Sequence, residues 1–186
     1  MKNADQIIAQ YVSDSAVVTP RVADTAKQAT ARQQLYKGLL ARPRGEFQGL
    51  LRYLLQEEVT YRNALWNGEV EDEDNCYEGI YRCAFLLAGC ADPSDTLLLW
   101  KAKYINMDVG VSMGAEYFVG AGLNETLSFL EQCDDDDAPE IVEYLQDAFS
   151  DPNALKWQRD WEEERANDIR GIYARIDPCR RAGSTF

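Results

Sequence analysis

Residues 47–66, FQGLLRYLLQEEVTYRNALW, decide the fold. Phe47, Leu50, Leu51, Leu54, Leu55, Val59 and Leu65 fall mostly at three- and four-residue steps, the spacing that gathers apolar side chains on one stripe of an α-helix. Pro43 precedes this run and Asn67-Gly68 closes it, so the pattern predicts one long amphipathic helix with a glycine stop.

The same period extends in both directions, and little of the chain alternates with the period of two that marks a strand. Upstream, Ile7, Ile8, Tyr11 and Val12 share a face in a helix closed before Pro20. A second helix over residues 21–41 has only a weak apolar stripe and carries Gln33 and Gln34. That weakness predicts an edge that faces solvent or is completed by another chain. Downstream, Cys76, Ile80, Cys83, Leu87 and Cys90 step by four and three. Asp92-Pro93-Ser94-Asp95 reads as a helix start with Asp92 as N-cap, and Asp137-Ala138-Pro139-Glu140 reads as another. A short helix is expected over residues 113–119 with Ser112 as its N-cap, followed by one capped by Asn124. Asp151-Pro152 opens a last long helix reaching Ile176, ended by Asp177-Pro178 with a frayed tail of eight residues. The expectation is an all-α fold of eight or nine helices in stacked antiparallel hairpins, an irregular HEAT-like or bundle arrangement. The 186 residues form one domain in this reading.

Charge is distributed unevenly. The chain carries 19 Lys and Arg against 32 Asp and Glu, a formal charge of −13, and no histidine. Residues 1–66 hold nine basic and six acidic residues, residues 67–151 hold three and twenty, and residues 152–186 hold seven and six. Nucleic acid is therefore not an expected ligand, because phosphate contacts need clustered cations. Without histidine, Ser-His-Asp triads, Cys-His dyads and histidine-based zinc sites are excluded within this chain. No apolar stretch reaches the roughly twenty residues of a membrane span, and MKNADQIIAQ has no signal-peptide core, so a cytoplasmic location is expected.

Several motifs are decoys. Gly110-Val111-Ser112-Met113-Gly114 matches the nucleophile elbow, yet its surroundings are helical and the required histidine is missing. Along a helix, neighbours among Cys76, Cys83 and Cys90 would lie roughly 10 Å apart and the outer two roughly 21 Å, too far for one zinc ion, so they read as small thiols in a helix–helix seam. The five cysteines are expected to be reduced. Glu140 with Glu143 and Asp160 with Glu163 place acids one turn apart on successive helices. This is the spacing by which all-α nucleotide pyrophosphohydrolases hold magnesium, which makes such an enzyme the alternative reading. Trp100, beside Lys101 and Lys103, reads either as a core side chain or as an interface anchor.

Residues 92–130, DPSDTLLLWKAKYINMDVGVSMGAEYFVGAGLNETLSFL, carry a resemblance. Their Leu-Leu-Trp-x-Ala-Lys helix, Asn-Met-Asp turn and Val-Gly-Ala-Gly turn resemble helical immunity proteins encoded beside bacterial polymorphic toxins. The resemblance implies a cytosolic inhibitor without catalytic residues or cofactor, which binds a cognate toxin domain and blocks or distorts its active site. Two acidic runs, Glu69, Glu71, Asp72, Glu73 and Asp74, then Asp134, Asp135 and Asp136, read either as solvated loops that cap the following helices or as a negative surface expected to complement a basic partner face such as a nuclease presents. These residues and Trp100 are the candidate partner-binding set.

Overall fold

All ten residues from Gly79 to Ala88, GIYRCAFLLA, are buried, so this helix is enclosed on every side. The computed structural model describes residues 4–172. Among these, ten α-helices occur and no strand: α1 (Ala4–Ser13), α2 (Pro20–Ala26), α3 (Ala29–Leu40), α4 (Gln48–Trp66), α5 (Gly79–Ala88), α6 (Asp95–Lys103), α7 (Met107–Ser112), α8 (Leu123–Gln132), α9 (Ala138–Ala148) and α10 (Ala154–Arg170). Short 3-10 turns at Arg44–Phe47, Cys76–Glu78 and Ala115–Phe118 link them. The enclosed α5 packs most extensively on the predicted long helix, α4, and also meets α3, α6 and α10. Because α10 returns to both α3 and α5, contacts are not confined to neighbours in sequence, as they would be in a regular solenoid.

A buried polar network fastens this centre. Arg32 Nε and Nη2 donate to the two Glu58 carboxylate oxygens at 2.7 and 3.2 Å, and the Tyr36 hydroxyl donates to Glu58 at 2.7 Å. Both charged side chains are essentially inaccessible, at 1% and 0%. Burial pulls the Arg32 guanidinium down, but the Glu58 hydrogen bond and charge outweigh it and keep the group protonated. The remaining Arg32 nitrogen, Nη1, donates to the carbonyls of Ala26 and Lys27, where α2 ends. One residue further on, Gln33 accepts from Arg82 Nη1 at 2.7 Å, and Arg82 pairs with Asp168 of α10 at 2.9 Å. The network thus joins α2, α3, α4, α5 and α10. Gly79 is required where it passes, since a Cβ there would fall on the Glu58 carboxylate and the Gln33 amide. Gly120 has a similar role at the other end of α5, where a Cβ would strike the Ala88 backbone.

These contacts explain where the structure departs from the sequence reading. The expected helix over residues 21–41 is two helices, because Gln28 is extended and Arg32 bonds the carbonyls at the break. Its weak stripe belongs to neither a solvent edge nor an incomplete interface: Arg32 and Gln33 are core-facing and buried beside Leu35, Tyr36 and Leu39. Pro20 opens α2 at its first position rather than closing the preceding helix. Asn106 is an N-cap, accepting from Val109 N–H at 3.1 Å, and Ser112 ends that helix instead of capping one. Residues 115–118 form a 3-10 turn only, and α8 starts at Leu123, which places Asn124 inside the helix. Asp92 lies one turn ahead of α6, where its carboxylate accepts from the backbone and hydroxyl of Ser94. Cys76 and Cys83 are buried, and the Cys83 thiol donates to the Leu51 carbonyl across the α4–α5 seam. Ile176, Asp177-Pro178 and the tail lie outside the described residues.

The glycine contacts give a direct check. Gly79→Ala is expected to cost roughly 1–3 kcal/mol in urea unfolding by overpacking a pinned ion pair. At Gly45, a Cβ meets nothing within 4 Å. Gly45→Ala should accordingly stay within about 0.5 kcal/mol of the parent, and equal effects at the two sites would refute the close-approach argument.

Candidate functional site

The acidic run after α4 begins where Gly68, at φ +70°, turns the helix end and lets Glu69 N–H reach the Ala64 carbonyl at 2.8 Å. Residues 69–75 are all exposed. Asp72 is the tether of this loop: its Oδ1 accepts from the Tyr61 hydroxyl at 3.0 Å and from Tyr77 N–H at 2.9 Å. Burial, and then the Asp72 carboxylate, push the Tyr61 phenol well up, so Tyr61 remains a donor. Glu69 accepts from the Asn67 amide at 3.1 Å. Glu71, Glu73 and Asp74 make no ion pair among the described residues.

The second run has the same construction. Asp135 accepts from Asp137 N–H at 3.1 Å and from Lys101 Nζ at 3.2 Å, and these bonds hold its carboxyl below the ordinary range. Asp137 occupies the N-cap position of α9, but Asp135 supplies the side-chain bond. Asp134 and Asp136 are exposed. In each run one aspartate anchors the backbone while its neighbours face solvent, which fixes the position of the outward charge.

The cations of residues 67–151 do not offset it. Arg82 is 5% exposed and Lys103 is 7% exposed. Arg82 is bound to Gln33 and Asp168, and Lys103 donates to the Gly110 and Met113 carbonyls at the end of α7. The third, Lys101, is the one paired with Asp135. Comparison of the chain with protein-family models, with curated proteins and with solved structures finds no match.

One sequence reading changes at this point. Trp100 is 3% exposed and its ring packs on Tyr104, Phe118 and Tyr144 at 4.8, 5.6 and 5.4 Å, so it is a core residue and leaves the candidate contact set. Glu140, Glu143, Asp160 and Glu163 are exposed, and no group of three or more Cys, Asp or Glu among the described residues is arranged to hold a metal ion. No helix among those residues is long and apolar enough to cross a membrane.

Other acids of the middle segment serve the fold. Gln48 Nε2 donates to Asp92 and Asp95 at 2.7 and 2.9 Å, and Arg52 Nε donates to Asp95 at 2.6 Å, which clamps the start of α4 to the start of α6. The Ser94 hydroxyl, with Gln48, holds the Asp92 carboxyl below its ordinary 3.8. A depressed folded pKa means that this share of stability is present above the ordinary value and is lost as pH falls through the folded one. Urea unfolding should therefore show the parent ahead of Asp92→Asn at pH 6 with the gap closing toward pH 3, and a pH-independent gap would contradict the assignment.

Proposed function

We propose that the protein is an immunity protein, a cytoplasmic, non-catalytic inhibitor that binds a cognate bacterial toxin domain through its acidic face. The observation that supports this reading is the sorting of charge. Residues 67–151 turn Glu69, Glu71, Glu73, Asp74, Asp134 and Asp136 outward on two tethered loops, while two of the segment's three cations are buried and the third is paired with Asp135. A fixed, uncompensated negative surface accelerates encounter with a basic partner and disfavours acidic ones.

The likeness of residues 92–130 to immunity proteins encoded beside polymorphic toxins adds to it, and the same segment presents exposed apolar side chains. Leu98, Tyr104, Met107 and Val111 are exposed, and such groups supply the short-range adhesion that electrostatic steering does not. In this role they replace the buried Trp100. A basic active-site face, as on a nuclease, is the complementary partner surface.

The test uses the toxin domain that this reading expects to be encoded beside this chain. Neutralising Glu71, Glu73, Asp74, Asp134 and Asp136 together, with Asp72 and Asp135 kept to preserve the loops, should slow association about tenfold or more at low salt and much less at high salt. Dissociation should change little. An association rate that is unchanged, or no complex with the parent protein, would overturn the proposal.

A further inference from the structure

Three arginines among the described residues are almost wholly buried, and they differ in one respect. Arg32 and Arg82 spend their N–H groups on Glu58, Gln33, Asp168 and backbone carbonyls. Arg62, 8% exposed, donates no hydrogen bond to any described residue, and its Nε is fully enclosed without a partner. A guanidinium carries five donors, and a buried charge left unbonded is costly, so this position calls for an acceptor. Tyr77 and Tyr81 flank the group, their ring centroids 5.7 and 5.9 Å from its carbon.

Arg62 lines a cleft of about 550 Å3 between α4, the turn before α5, α7 and α10. From α10, Arg165 lines the same cleft, and its Nε is likewise buried without a partner. Two acids border the space, and neither hydrogen-bonds an arginine, although Asp108 forms a long ion pair with Arg62. Asp108 Oδ2 stands 3.9 Å from Arg62 Nη2, beyond hydrogen-bond reach, and is 60% exposed at the rim. Glu78 lies against the Tyr77 hydroxyl and pushes that phenol up. Met107 and Val111, 71% and 82% exposed, form an apolar lip.

We propose that this cleft binds a small organic molecule carrying an oxyanion, a phosphate or a carboxylate, on an apolar or aromatic body. Guanidinium forks match the paired oxygens of both groups, and two of them converging from separate helices make a site rather than a surface charge. The tyrosine rings and the Met107–Val111 lip receive the apolar part. The volume lies within the range of small-molecule sites. This inference does not depend on the inhibitor reading, because a small oxyanion needs no protein partner, although Met107 and Val111 serve both proposals.

Calorimetric titration of the full chain with phenyl phosphate, benzoate and inorganic phosphate tests it. One saturable site is expected for phenyl phosphate or benzoate, and whichever binds more tightly assigns the oxyanion as phosphate or carboxylate. Inorganic phosphate, lacking the apolar body, should bind more weakly than phenyl phosphate. Arg165→Gln should weaken the better probe about tenfold or more, and Val111→Glu, at an exposed lip position that leaves the core untouched, should weaken it through like charge. If Arg165→Gln fails to fold, Val111→Glu alone carries the comparison. No saturable binding of any probe, or binding indifferent to both substitutions, would overturn the proposal and identify the cleft as a solvated crevice.

Discussion

The Arg32–Glu58 ion pair is the joint on which the described structure turns. It is held at 2.7 Å with both side chains inaccessible to solvent, and Tyr36 supplies a further donor to the same carboxylate. Desolvating two charges is expensive, and the pair is tolerable only because nearly every lone pair and N–H is used. Glu58 reaches from the predicted long helix, α4, into space opened by Gly79 at the start of the enclosed α5. Arg32 at the same time closes the end of α2. Removing either partner would leave the other's charge buried without its counter-charge.

The same economy of cations shapes the surface. Arg32, Arg82 and Lys103 are committed to internal carboxylates or carbonyls, and Arg52 clamps Asp92 and Asp95. What reaches solvent from residues 67–151 is therefore more one-sided than the composition alone implies. Aspartates also divide their work within each run, with Asp72 and Asp135 facing hydrogen-bond donors while their neighbours carry the field. An acidic loop with a pinned backbone presents charge at a constant place, which is the property a steering surface needs.

Helical periodicity made the all-α class and the α4 helix legible, because apolar spacing alone determines which stripe is buried. The interior of that stripe was not legible. Leu54, Glu58 and Arg62 step by four along one face, so two charged residues continue an apolar row. That placement is a signal of buried polar function which a hydropathy pattern discards. The weak stripe of α3 misled for the same reason, since a helix that contributes Arg32 and Gln33 to the core looks solvent-facing by composition. Trp100 was ambiguous in sequence because its lysine neighbours suggest a polar surface, whereas Lys101 pairs with Asp135 and Lys103 is buried, donating to carbonyls at the end of α7. The cleft around Arg62 and Arg165 joins residues from distant segments, and spacing along the chain gives no sign of it.

The central claim is that Arg32 and Glu58 act as a unit, and a double-mutant cycle measures this directly. Urea unfolding at neutral pH would compare the parent with Arg32→Met, Glu58→Met and the combined variant. Each single substitution is predicted to lose about 3–5 kcal/mol by stranding its partner's charge, and the double variant to lose clearly less than the sum of the two. Single losses below about 1 kcal/mol, or losses that simply add, would contradict it.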